Sequence, residues 1–208
     1  SAFRRFRGPA LFHGPRTSSS LCAPFLPSGL TLRSSGLAFR QPLSLAVRLL
    51  MCIGWSELIS TPDVEAVNEI ASAWGWLIQE PFIPLLFSVL GDMFFQKEAG
   101  KVFWLNTGTG EISAIADSVE EFKALLGTEA ADDWFLPSLV AQLHEAGKIP
   151  APGCCYTYVT LPVFAEGKYQ VANLNPVPAK EHFGVTGHIH QQIQSLPDGT
   201  QINLQVAP

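Results

Sequence analysis

Arginine is missing from residues 51–208, and every acid and every lysine is missing from residues 1–50. All seven arginines (Arg4, Arg5, Arg7, Arg16, Arg33, Arg40 and Arg48) precede Met51, whereas the 18 acids and six lysines follow it. The two segments therefore carry about +7 and −12, unlike halves of a formal net charge of −5. A domain without arginine and with that negative excess repels phosphate backbones and attracts basic surfaces, so residues 51–208 are not expected to bind nucleic acid.

Long apolar runs are also missing. The richest stretch, "PFIPLLFSVLGDMFF", holds two prolines and an aspartate. It reads as a pair of buried strands rather than a membrane span. Cysteine is scarce, with Cys22, Cys52 and the adjacent pair Cys154 and Cys155, and there is no C-x-x-C. Neither a disulfide framework nor a zinc signature follows, and a reducing, cytoplasmic compartment fits best. Internal repeats are absent as well.

Residues 1–50 are rich in Arg, Ser, Pro, Gly and Leu and follow neither a 3.6 nor a 2 residue period, so a disordered leader is expected. An Arg-rich, Ser-rich, acid-free start suits an organelle transit peptide. A secretory signal fits less well, because "PLSLAVRLLMCIGW" lies some forty residues in and is interrupted by Arg48. The third reading, that Met51 is the true start and the leader is upstream sequence translated in frame, is favoured by a composition break that falls on a methionine. Function is therefore sought in residues 51–208, read as a single domain.

That domain is expected to be α+β: an antiparallel sheet with helices packed on one face. A first helix is predicted in "STPDVEAVNEIASAWGWL", capped by Ser60 or Thr61, with Val64, Val67, Ala71, Trp74, Leu77 and Ile78 as its buried stripe. "PLLFSVL", "DMFFQ", "KVFWL" and "EISAIA" read as strands, and the glycines of "NTGTG" as turn residues. A phosphate loop is excluded there, because strands flank the G-x-G on both sides. "SVEEFKALLG" and "DDWFLPSLVAQLHEAGK" read as helices, the second tolerating Pro137 only if it begins there. "CCYTYVTLPVF" and "KYQVANLNP" read as strands, and "AKEHFGVTGHIHQQIQSL" as a helix kinked near Gly184 or Gly187.

Three groups could carry chemistry. His182, His188 and His190 with Glu181 could hold a metal in a metal-dependent enzyme, but His188 and His190 diverge if their segment is helical. Cys154 or Cys155 could be a nucleophile with His188 or His144 as base, against the usual role of such cysteines as small buried hydrophobes. The pairs Glu120 with Glu121 and Asp132 with Asp133 sit where helix starts favour acids, and neighbours in sequence point apart, so paired acid/base work is not indicated. Exposed acids at helix starts could instead meet a basic partner such as a nuclease cleft, with electrostatic steering speeding association. A general protein-interaction module remains open.

The ordered set G-D-x-F-F, T-G-T-G-E, A-D-S-x-E-E-F, P-G-x-C-Y-x-Y and G-x-I-H-x-Q-I-x-x-L-P-D-G-T, over about residues 55–203, resembles a C-terminal domain, formerly of unknown function, of immunity proteins against DNase effectors of type VI secretion. In longer relatives that domain often follows a GAD-related domain. A looser similarity extends to SMI1/KNR4-type immunity folds. The resemblance implies a small cytoplasmic protein that neutralises a toxin by binding it, with no catalysis and no cofactor, and the histidine spacing itself matches no metal-ligand signature. It supplies no contact residues. Glu120, Glu121, Asp132 and Asp133 are therefore the partner-binding candidates on charge and expected exposure alone, and the expected partner is a cognate basic toxin.

Overall fold

Aromatic and aliphatic residues occupy consecutive positions in the central strands, and both faces of the resulting sheet are covered. In the computed structural model, which describes residues 2–3, 53–97 and 99–202, the strands are β1 (Ala2–Phe3), β2 (Ile59–Ser60), β3 (Phe82–Ser88), β4 (Met93–Lys97), β5 (Val102–Asn106), β6 (Glu111–Ala116), β7 (Cys154–Tyr158), β8 (Leu174–Pro178) and β9 (Gln201–Ile202). Strands β2 to β6 form one antiparallel sheet in sequential order, β7 and β8 form a hairpin of their own, and β1 pairs with β9. From β3 to β6 the sequential antiparallel order follows from short connections that return the chain beside itself, whereas β2 reaches the edge of the sheet before the long connection that carries α2.

The helices are α1 (Trp55–Leu58), α2 (Val64–Ile78), α3 (Val119–Leu125), α4 (Asp132–Phe135), α5 (Pro137–Glu145) and α6 (Ala179–Ile193). Alternate residues of a strand point to opposite sides. Met93, Phe95 and Leu105 accordingly pack with Ile70 and Trp74 of α2 and Phe183 of α6. Phe94 and Val102 pack on the other side with Phe122 of α3, Trp134 and Phe135 of α4, and Leu139, Val140 and Leu143 of α5. The α+β class and antiparallel sheet are as expected, but helices cover both faces rather than one. The reason is visible in "MFF" of β4: three apolar residues in a row leave no polar side for solvent.

Phe94 is the centre of the second layer. Its ring stacks on Phe122 at 5.3 Å and on Phe135 at 5.2 Å and meets Trp134 edge-on at 5.8 Å. Such pairs add to the area that they bury.

Helix α2 begins two or three residues later than expected. Asp63, not Ser60 or Thr61, is its cap, accepting the Ala66 N–H on Oδ1 at 2.8 Å. Its buried stripe is Ala66, Ile70, Trp74 and Ile78, while Val64 is 79% exposed. Between α4 and α5 the chain turns at Leu136, which has φ 41° and ψ 58°, so Pro137 opens α5 at a position where its missing N–H costs nothing. Helix α6 runs unbroken over 15 residues past both glycines. The expectations for residues 1–50 fall outside the described residues, apart from the strand Ala2–Phe3.

Candidate functional site

The sheet, the β7–β8 hairpin and α6 meet at a buried cluster of polar side chains. Asp92 sits in the turn between β3 and β4, where Ser88 Oγ accepts its N–H at 3.0 Å. Its Oδ1 accepts the Thr107 N–H at 2.9 Å and lies 3.4 Å from the Thr107 hydroxyl, and Oδ2 accepts Trp104 Nε1–H at 3.2 Å. Thr107 Oγ1 donates to the Gly91 carbonyl at 2.8 Å. His182 of α6 places Nε2 3.1 Å from that carbonyl and 2.9 Å from Thr107 Oγ1, and Nδ1 3.0 Å from Thr157 Oγ1 of β7. A carbonyl only accepts, so Nε2 carries the proton and Nδ1 accepts from Thr157. One turn pair further on, His190 Nε2–H donates to the Thr107 carbonyl at 2.9 Å.

This arrangement explains the first glycine of G-D-x-F-F. Gly91 has φ 87°, and a Cβ there would collide with the His182 imidazole. Burial of the cluster also sets its protonation. Loss of water pushes the Asp92 carboxyl up to about 7, against the pull of the hydrogen bonds from Thr107 and Trp104. Burial likewise pushes His182 down to about 4. In the neutral imidazole that burial favours, Nε2–H donates to the Gly91 carbonyl and Nδ1 accepts from the Thr157 hydroxyl.

The "NTGTG" turn does a second job. Asn106 Oδ1 accepts the N–H groups of Gly108 and Thr109 at 2.9 and 3.1 Å, which shapes the turn, and it also accepts the Tyr169 hydroxyl at 3.0 Å. A Cβ on Gly108 would come within 3.0 Å of that hydroxyl and within 2.9 Å of Pro162 Cγ. The missing side chain lets the loop between β7 and β8 press against the turn and holds the Tyr169 ring against Tyr158, edge to face at 5.7 Å.

The four acids named from the sequence are all exposed, at the starts of α3 and α4. Among the described residues none of them forms an ion pair. Glu121 has structural work: its Oε2 accepts the Asp117 N–H at 2.7 Å while Ser118 Oγ accepts the Glu121 N–H at 3.1 Å, a reciprocal cap on α3. Asp132 lines two clefts on either side of the α4–α5 junction. One, about 360 Å³, runs from Trp55 and Leu58 to Glu129 and Phe135. The other, about 420 Å³, lies between α5 and the β7–β8 loop.

The candidate chemical groups do not assemble. His182 and His190 point inward from α6, whereas His188 is exposed and lies 2.9 Å from the Gln192 amide. Among the described residues no three His, Cys, Asp or Glu side chains gather as a metal requires. Cys155 is buried against Phe183 and its neighbours, and burial pushes its thiol up, far from a thiolate. Cys154 shares a cleft of about 360 Å³ with His144 and Glu57, whose imidazole and carboxylate are 3.4 Å apart. No hydrogen bond joins that thiol to the imidazole among the described residues.

Sequence reasoning missed Asp92, Thr107, Asn106 and Tyr169. The available signal was a lone aspartate inside the most apolar stretch of the chain, because a buried carboxyl needs partners. No helix among the described residues is long and apolar enough to cross a membrane.

Residues 116–190 match a family described as "T6SS immunity protein Tdi1, C-terminal". The matched span begins at the end of β6 and ends at His190, so it includes α3, α4, α5, the β7–β8 hairpin and most of α6. The match supports an immunity role and agrees with the resemblance read from the motifs. No curated protein matches the chain. A crystal structure of Atu4351 from Agrobacterium tumefaciens is similar with a TM-score of 0.39 and 17% identity, over 59% of this chain and 62% of that one. A likeness of that size assigns neither fold nor function.

Proposed function

We propose, from the premise that residues 116–190 fall within the type VI secretion immunity family, that this protein binds a cognate toxin in the cytoplasm and neutralises it without catalysis. The family match carries the reading. The contact is assigned to the acidic helix starts, with Glu120, Asp132 and Asp133 facing a basic toxin surface and Glu121 holding α3 in place. A nuclease suits this chemistry, because a cleft that holds phosphates is basic and an acidic domain can cover it. Exposure of the acids and the absence of arginine after Met51 support that assignment.

The test is co-expression of the full chain with the open reading frame adjacent to its gene, scoring growth and co-purification together. A neighbour that is toxic alone and silent in a stable complex supports the reading. A toxic neighbour that remains toxic, with nothing co-purifying, refutes it.

A further inference from the structure

Resting on the immunity reading, we propose that the 420 Å³ trough between α5 and the β7–β8 loop receives one large apolar side chain of the toxin, presented between lysines or arginines. Its lining includes Asp132, Leu136, Leu139, Gln142, Tyr169 and Gln170, all inside the matched span of residues 116–190. The volume lies within the roughly 300–1,000 Å³ range of pockets that enclose small ligands, ample for one aromatic residue. Asp132 is the one charged residue in this lining, and the adjoining 360 Å³ cleft, which shares Asp132 and Pro137, adds Glu129. The exposed Asp133 follows Asp132 in sequence and the exposed Lys168 precedes Tyr169, and neither is part of the lining, so the charge at the trough itself comes from Asp132. An apolar floor under an acidic rim selects an apolar anchor with basic flanks and rejects the same anchor between acids.

The trough is also formed in advance. Tyr169 is 37% exposed, yet its hydroxyl is tied to Asn106 and its ring to Tyr158. An aromatic wall already held by a hydrogen bond and a ring contact loses less entropy on contact than a free one, and tyrosine is among the residue types that concentrate binding energy. The NTGTG turn thus acts on binding through Tyr169, as a positioning element that touches no partner.

The probe is the amidated peptide KRWKR, with KRAKR and EEWEE as controls, titrated into the isotope-labelled full chain and followed by amide chemical shifts. The expected result is that KRWKR moves the amides of residues 132–142 and 169–170, and that each control binds at least about tenfold more weakly. Gln142→Trp, at an exposed position of α5, fills the trough without changing charge and abolishes those shifts. Tyr169→Phe keeps the ring, frees it from Asn106, and weakens binding less than Tyr169→Ala does. Equal binding of the controls, shifts elsewhere, or no shifts at all overturn the proposal.

Growth rescue separates the two readings. A full chain that protects equally well with Gln142→Trp, at unchanged affinity for the toxin, removes the trough and leaves immunity. A full chain that protects against nothing, yet takes KRWKR in the trough, removes immunity and leaves the trough.

Discussion

Asp92 and His182 titrate in opposite senses around one threonine, which gives the protein a pH signature that single substitutions expose. Asp92 is raised from 3.8 to about 7 in the fold, so the folded protein binds the proton more tightly than the unfolded chain. Stability from this group is complete below pH 4 and declines as pH rises to 7, by roughly 4 kcal/mol. His182 is lowered from 6.5 to about 4, so the unfolded chain is the one that takes up the proton. Its contribution is missing below pH 4 and grows as pH rises to 6.5, by roughly 3 kcal/mol. In the wild type the two slopes nearly cancel between pH 4 and 6.5.

Asp92→Asn keeps an acceptor for the Thr107 N–H but sets an amide against Trp104 Nε1–H, and it removes the falling slope. Relative to wild type it should therefore gain stability with rising pH, by roughly 4 kcal/mol from pH 4 to 7, on top of a constant loss from the Trp104 contact. His182→Gln should show the opposite trend, losing roughly 3 kcal/mol relative to wild type from pH 4 to 6.5. Urea unfolding at half-unit pH steps, read by tryptophan fluorescence, measures both differences, and titrations common to all variants subtract out. A difference between Asp92→Asn and wild type that stays level across this window, or slopes downward with pH, refutes the buried neutral pair. A downward slope is the signature of an internal carboxylate–imidazolium ion pair in its place.

Four other outcomes are expected. Glu120→Lys, Asp132→Lys and Asp133→Lys together should leave the unfolding midpoint within the small range of exposed substitutions but slow association with the toxin and flatten its salt dependence. Glu121→Lys should instead cost about 0.5–1.5 kcal/mol of stability, because it removes the acceptor for the Asp117 N–H and places a positive charge in the first turn of α3, although the Ser118 cap remains. Phe94→Ala should destabilise by about 3–5 kcal/mol in the same urea assay, since it empties the centre of the aromatic layer. Residues 51–208 alone should protect cells as well as the full chain does in the co-expression test, and loss of protection would assign the leader a part in function.

The elements were legible in the sequence wherever one local rule decided them. Turn glycines and aromatic strands placed β4, β5 and β6, the acidic first turn of "SVEEFKALLG" placed α3, and Pro137 placed the start of α5. What local rules do not contain is which face of an element meets another. The stripe of α2 lies at Ala66, Ile70 and Trp74 because α6 packs across it, with Gly187 leaving no room for a Cβ against the Ala73 carbonyl. Val64 looks like part of an apolar stripe only while α6 is out of sight. The histidines were weighed as ligands because spacing is all that a sequence shows of them. Their partners, Gly91, Thr107 and Thr157, lie 25 to 91 residues away. The exposed acids were placed correctly at helix starts for dipole reasons, but the division of labour between Glu121 and the others depends on the Asp117 N–H that it reaches.

Thr107 has every polar atom engaged: its N–H by Asp92, its carbonyl by His190, and its hydroxyl by Gly91 and His182. The N–H and carbonyl belong to the backbone, so the side chain's own part is the hydroxyl, which among the other residue types only serine could place in the same way. The residues around the trough carry no comparable obligation, since Ser138, Gln142, Gln170 and Asp133 are exposed and reach none of these atoms. The protein therefore separates what must stay fixed from what is free to vary. On the proposed reading, recognition would be rewritten by exchanging a handful of exposed residues around the trough while the frame built on Thr107 stays unchanged.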